Sequence, residues 1–225
     1  MSVSVLVSVL LVASAPLTEG FLSRFARPSD SCARTASECL ETHLDKFQPI
    51  RDLSDVQRIW ADPTLLSEMA TSLEQTGDCL DNVVTIPKCA HMAHWPVIVR
   101  FFADFIKYPG ITDKFAAASS SQCLTDDKVF KQLGFALEKC LDIFTQALKG
   151  QPGDVCGSFS QLWQCVEQEG SHVCGAAYSD LFHSFKQFLF SPSRVPGYLA
   201  WLSSILEKDF TVCEQQLVPA SFTSA

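Results

Sequence analysis

Ten cysteines constrain this chain more than any other feature: Cys32, Cys39, Cys79, Cys89, Cys123, Cys140, Cys156, Cys165, Cys174 and Cys213. All lie beyond the first 31 residues and are scattered through the rest of the chain. An even, scattered set reads as a disulfide framework if the chain meets an oxidising compartment. Structural zinc is the rival reading. Such sites usually draw ligands from close C-x-x-C pairs, and no such pair occurs here. Five bridges and no metal are therefore expected, with the pairing left open by the spacing.

The N-terminus supplies the compartment. Val3 to Ala13 is an uncharged, largely apolar run, too short to span a bilayer and of the length a signal peptide uses for its apolar core. It lacks the usual positive residue ahead of that core. Cleavage after Ala15 would leave Pro16 first, whereas cleavage after Gly20 releases Phe21, and the second cut is expected. The layout is then a leader over 1–20, a short N-terminal segment over 21–31, one cysteine-rich helical domain over 32–216 and a flexible tail over 217–225. A boundary inside that domain would fall near Gly150 to Gly153. Of the charged residues only Glu19 leaves with the leader, so 24 acids face 17 bases and the net charge is −7. That balance disfavours nucleic acid and anionic membrane surfaces as partners.

Apolar spacing is helical almost throughout, which makes the fold class all-α: a disulfide-stapled bundle of several helices. Thr125 to Lys149 is the clearest case, with Phe130, Leu133, Leu137, Cys140, Leu141, Phe144 and Leu148 on one stripe. Thr125 is the expected N-cap and Gly150 the stop. Further helices are predicted over about 33–47, 54–61, 96–107, 154–168, 173–190 and 197–215, and one opening at Asp62-Pro63 and running to about Leu80. Cys32 and Cys39, seven apart, fall on nearly one helical face. Cys165 and Cys174 flank Gly170, where a helix-to-helix turn is expected.

The chemistry-bearing motifs are few. The chain has no H-E-x-x-H, no G-x-S-x-G and no phosphate-cradling glycine loop, so no cofactor is implied. The nearest candidate for a metal or catalytic site is Cys89-Ala90-His91-Met92-Ala93-His94. His91 and His94, three apart, would share a helical face, but no carboxylate lies nearby in sequence. His43, His172 and His183 stand alone, and the only asparagine, Asn82, has Val84 where a glycosylation sequon needs Ser or Thr. Seventeen phenylalanines and four tryptophans fill clusters at Phe101, Phe102 and Phe105 and at Phe182, Phe185, Phe188 and Phe190. The second cluster does not fit one helical face, so some apolar surface is expected to remain for an apolar ligand or a partner.

The leader, the even cysteine set and the segment Cys156 to Cys174, containing Leu162-Trp163-Gln164-Cys165, resemble the secreted, cysteine-rich helical domains of large invertebrate families. That resemblance implies an extracellular location and a helical fold, and it transfers no functional residue. The expectation is a secreted, non-enzymatic protein that binds an extracellular protein or an apolar ligand and has no membrane span. The alternatives are an enzyme of unfamiliar type using His91 and His94, and a purely structural or nutritive protein.

Overall fold

A computed structural model of the chain describes residues 31–47, 53–150, 154–206 and 208–217. The leader expected over 1–20 lies outside them, as do the short N-terminal segment up to residue 30 and all of the tail but Leu217. The described residues are helical, with no strand among them, and they fall into two compact units divided between Thr125 and Asp126. The division is not at Gly150 to Gly153. The helices on either side of that segment pack against each other within the second unit.

The first unit contains α1 (Ser31–Leu44), α2 (Leu53–Ala61), α3 (Pro63–Val84), a 3-10 helix (Pro87–Met92), α4 (Trp95–Ile106), α5 (Ile111–Ser119) and the short α6 (Gln122–Thr125). Its spine is α3. The Asp62 carboxylate accepts hydrogen bonds from the backbone N–H groups of Thr64 (2.8 Å) and Leu65 (3.3 Å), and Pro63 occupies the first turn, where its missing N–H costs nothing. Leu66, Met69, Ala70, Leu73, Leu80 and Val83 form its buried row, against which α1 and α4 pack. The cysteines of α1 are both buried, as their spacing requires, and reach different targets: Cys39 bonds Cys79 on α3, and Cys32 bonds Cys89 on the 3-10 helix. Trp60 and Phe105 both meet Phe115 edge-on, with centroids 4.8 and 5.8 Å apart. Along the α3–α4 seam Lys107 pairs with Glu74 at 2.5 Å, and Arg100 pairs with both Asp78 and Asp81. Those carboxylates raise the guanidinium's already high pKa.

The second unit contains α7 (Asp127–Gly150), α8 (Val155–Cys174), α9 (Ala176–Leu189), α10 (Val195–Leu206), a 3-10 helix (Thr211–Cys213) and the short α11 (Glu214–Leu217). Leu133, Leu137, Cys140 and Phe144 form the buried row of α7, which packs on α8. The cap differs from the expected Thr125. The Asp126 carboxylate takes the Lys128 N–H, while the Thr125 hydroxyl donates back to Ser121 C=O. Cys140 and Cys165 join α7 to α8, and Cys156 joins α8 to Cys213. Cys123 and Cys174 are disulfide-bonded too, so no cysteine is free.

Two boundaries in this unit differ from the sequence expectation for identifiable reasons. Helix α8 runs straight through Gly170, because that glycine is a packing site. A Cβ there would lie 2.5 Å from the Tyr178 ring. The break comes at Gly175, whose φ of +80° is accessible to glycine at little cost. The helix expected to reach Gln215 stops at Leu206. The Ser203 hydroxyl then accepts the Phe210 N–H at 2.8 Å, which redirects the chain into the 3-10 helix. The core here is aromatic: Phe159 lies within 6.3 Å, centroid to centroid, of Phe144, Trp163, Phe190, Tyr198 and Phe210.

Candidate functional site

The segment that carries His91 and His94 connects the end of α3 to α4. Ile86 N–H bonds to Val83 C=O at 3.1 Å and Cys89 N–H to Ile86 C=O at 2.7 Å, so the chain tightens into the 3-10 helix directly after α3. The Cys32–Cys89 bridge and a 2.9 Å hydrogen bond from Lys88 Nζ to Ser31 Oγ tie the segment to the first turn of α1. Pro96 sits in the first turn of α4, again where no N–H is needed.

Within this frame the two imidazoles differ. His91 is exposed, and its Nδ1 lies 3.1 Å from Lys88 C=O. A carbonyl only accepts, so Nδ1 carries the proton and donates. His94 occupies the N-cap position of α4, half-buried, with its ring stacked on Trp95 at 27°. Burial lowers its pKa from 6.5, and the neighbouring His91 lowers it further. Its resting state at neutral pH is therefore the neutral ring. A neutral imidazole is chemically competent as a base or a ligand, but either role needs a positioned second group. No set of three or more His, Cys, Asp or Glu among the described residues is placed to hold a metal ion.

The remaining sequence candidates are spread across the surface. His172 is exposed and His43 half-buried. His183 contacts Gln187 through Nε2 at 3.0 Å and lies 3.9 Å from Glu167, whose other oxygen is held by Lys186 at 2.9 Å. Asp126 and Asp127 serve the start of α7.

The aromatic clusters resolve differently from expectation. Phe182, Phe185, Phe188 and Phe190 are all buried, so the second cluster leaves no apolar surplus. They surround more than one face because α9 is enclosed broadly and Phe190 sits just beyond its end, packed on Phe159 and Trp163. Within that core the Trp163 N–H has no acceptor among the described residues, and its ring stands edge-to-face with Phe190. Exposed apolar side chains lie elsewhere: Phe135 (72 % exposed) and Ile143 on α7, Val97 (57 %) on α4, and Val212. Phe135 falls outside the stripe from Phe130 to Leu148, which is the sequence signal that marks it.

No protein-family model matches the chain, and neither a curated protein nor a solved structure matches it.

Proposed function

We propose that this chain is exported and acts outside the cell as a non-enzymatic binding protein whose partner is another extracellular protein. The observation that carries the first half is that every one of the ten cysteines is disulfide-bonded. Such a framework is characteristic of oxidising surroundings and rare in the cytosol, and no helix among the described residues is long and apolar enough to cross a membrane. The resemblance to secreted cysteine-rich helical domains points the same way. Binding through the surface is favoured over carriage of an apolar molecule because the second phenylalanine cluster is committed to the core.

The test is to produce the protein with its leader in a eukaryotic host and record the native mass of what reaches the medium. Secretion with a protein partner retained, and activity assays indifferent to His91→Ala and His94→Ala, is the expected result. A co-purified lipid would replace the protein partner with an apolar ligand. Retention inside the cell would overturn the reading, as would an activity lost in either histidine variant.

A further inference from the structure

Helix α7 turns a sorted row of charges to the solvent. At 3.6 residues per turn, Lys128, Lys131, Phe135, Glu138 and Asp142 line one face, all exposed, opposite the buried row of Leu133, Leu137, Cys140 and Phe144. Two bases precede Phe135 and two acids follow it. Lys128 and Lys131 are three apart and Glu138 and Asp142 four apart, spacings that make helical side chains neighbours, so each like-charged pair repels. Within the described structure nothing relieves that repulsion. No ion pair among the described residues reaches any of the four, and Lys139, at the edge of the face, lies 3.9 Å from Glu169 on α8 instead. Phe135, between the two pairs, is the most exposed large apolar side chain among the described residues.

We infer that this face is a self-docking surface: the α7 of a second copy of the chain lies on it antiparallel, with the two-fold axis between Ala136 and Leu137. A two-fold interface uses one patch twice, so the patch must complement itself when reversed. Bases at one end, acids at the other and an apolar side chain near the middle meet that condition. In this register the Lys131 of each copy meets the Asp142 of the other, and each Phe135 meets the other's Glu138. At 1.5 Å per residue the two Phe135 positions lie about 4.5 Å apart along the axis, close enough for the rings to cover each other. Gly134, with open space where a side chain would stand, lets the second backbone come near. Parallel pairing would set base on base and acid on acid. A partner of uniform charge would satisfy one half of the face and repel the other. One helix face buries less than the roughly 800 Å² per partner of a standard interface, so the dimer is weak and forms as concentration rises.

Analytical sedimentation of the full disulfide-bonded protein tests this with a second copy as the only partner present. In low salt the mass should rise from one chain toward two, with a dissociation constant on the order of 100 μM. Salt at about 1 M, where screening acts within about 3 Å, should weaken the dimer about tenfold, and Phe135→Ala should weaken it about tenfold as well. Charge reversal tests the antiparallel pairing itself. Glu138→Lys with Asp142→Lys, and separately Lys128→Glu with Lys131→Glu, should each give a monomer, and the two double variants mixed in equal amounts should recover the dimer. A wild type still monomeric at about 1 mM would overturn the proposal, as would a dimer that survives in either double variant alone or two variants that stay apart when mixed. If a variant does not fold, a wild-type dimer as strong in about 1 M salt as in low salt overturns it. The extracellular partner proposed above is absent from this experiment, so failure here leaves that reading standing.

Discussion

In the first unit a bridge runs from Cys32, the second residue of α1, to Cys89, the third residue of a 3-10 helix, across a separation of 57. In the second unit the same separation joins Cys156, the second residue of α8, to Cys213, again the third residue of a 3-10 helix. The closures match, yet the contents do not. Helix α1 packs on α3, the second helix after it, and the other bridge of that unit, Cys39–Cys79, falls inside the loop. Helix α8 packs on α9 and on the preceding α7, and Cys140–Cys165 reaches back outside the loop. A bridge therefore fixes where a segment begins and ends, while side-chain volume decides which helices meet within it. Phe159, Trp163, Phe182 and Phe190 supply that volume in the second unit, and the aliphatic row from Leu66 to Val83, with Trp60 and Phe105 set against Phe115, supplies it in the first.

The sharpest way to break this contrast is to empty each core. Phe159→Ala should cost about 3–5 kcal/mol and Leu66→Ala less, though still about 2 or more. The reason is that Phe159 is the ring on which five others converge, whereas Leu66 is one of a row. Denaturant unfolding followed by hydrogen exchange in each unit would measure both, and a larger loss from Leu66→Ala would remove the aromatic hub from the account.

Opening the two matched closures comes next. Replacing Cys32 and Cys89 together by alanine, or Cys156 and Cys213 together, should cost about 2–4 kcal/mol, with the smaller cost in the first pair, because the nested Cys39–Cys79 bridge already shortens that loop in the unfolded chain while Cys140–Cys165 leaves the second at full length. A larger cost from the first pair, read from the same unfolding curves, would show that native packing around each bridge outweighs loop length.

Smaller effects separate two close-packed glycines. Gly170→Ala drives a methyl into the buried Tyr178 ring and should lower stability by about 1–3 kcal/mol. Gly77→Ala meets the Arg100 side chain at 2.9 Å. That chain can swing aside, and alanine's better helix propensity, about 1 kcal/mol, should offset most of the loss. The two melting temperatures decide it. The smallest contrast should be between the caps: Asp62→Ala and Asp154→Ala each forfeit carboxylate bonds to a helix start and should each cost about 1 kcal/mol.

Much of this architecture is legible before any coordinates. Seven-residue spacing places Cys32 and Cys39 on one face of α1, and Asp62-Pro63 marks the start of α3, because both signals are local to one helix. Pairing is not local. Cys165 reaches Cys140 because α7 and α8 pack together, and nothing between Cys165 and Cys174 marks Gly170 as a contact for Tyr178 three residues beyond the true break. Helix α6 and the 3-10 helices escape periodicity because they are too short to show it, and α5, as long as α2, escapes it because its buried face carries Ala118 and Ser119 beside only two large apolar residues, Ile111 and Phe115. At the candidate site, the spacing of His91 and His94 is visible in the sequence. The burial of one ring and exposure of the other follow only from the fold of the segment around Cys89.

A non-reducing peptide map of the secreted protein, alkylated before digestion, tests the two-closure framework most directly. Bridged peptides are expected for Cys32–Cys89, Cys39–Cys79, Cys140–Cys165 and Cys156–Cys213, with no alkylated cysteine. Alkylated thiols, or a peptide joining Cys165 to Cys174, would contradict it.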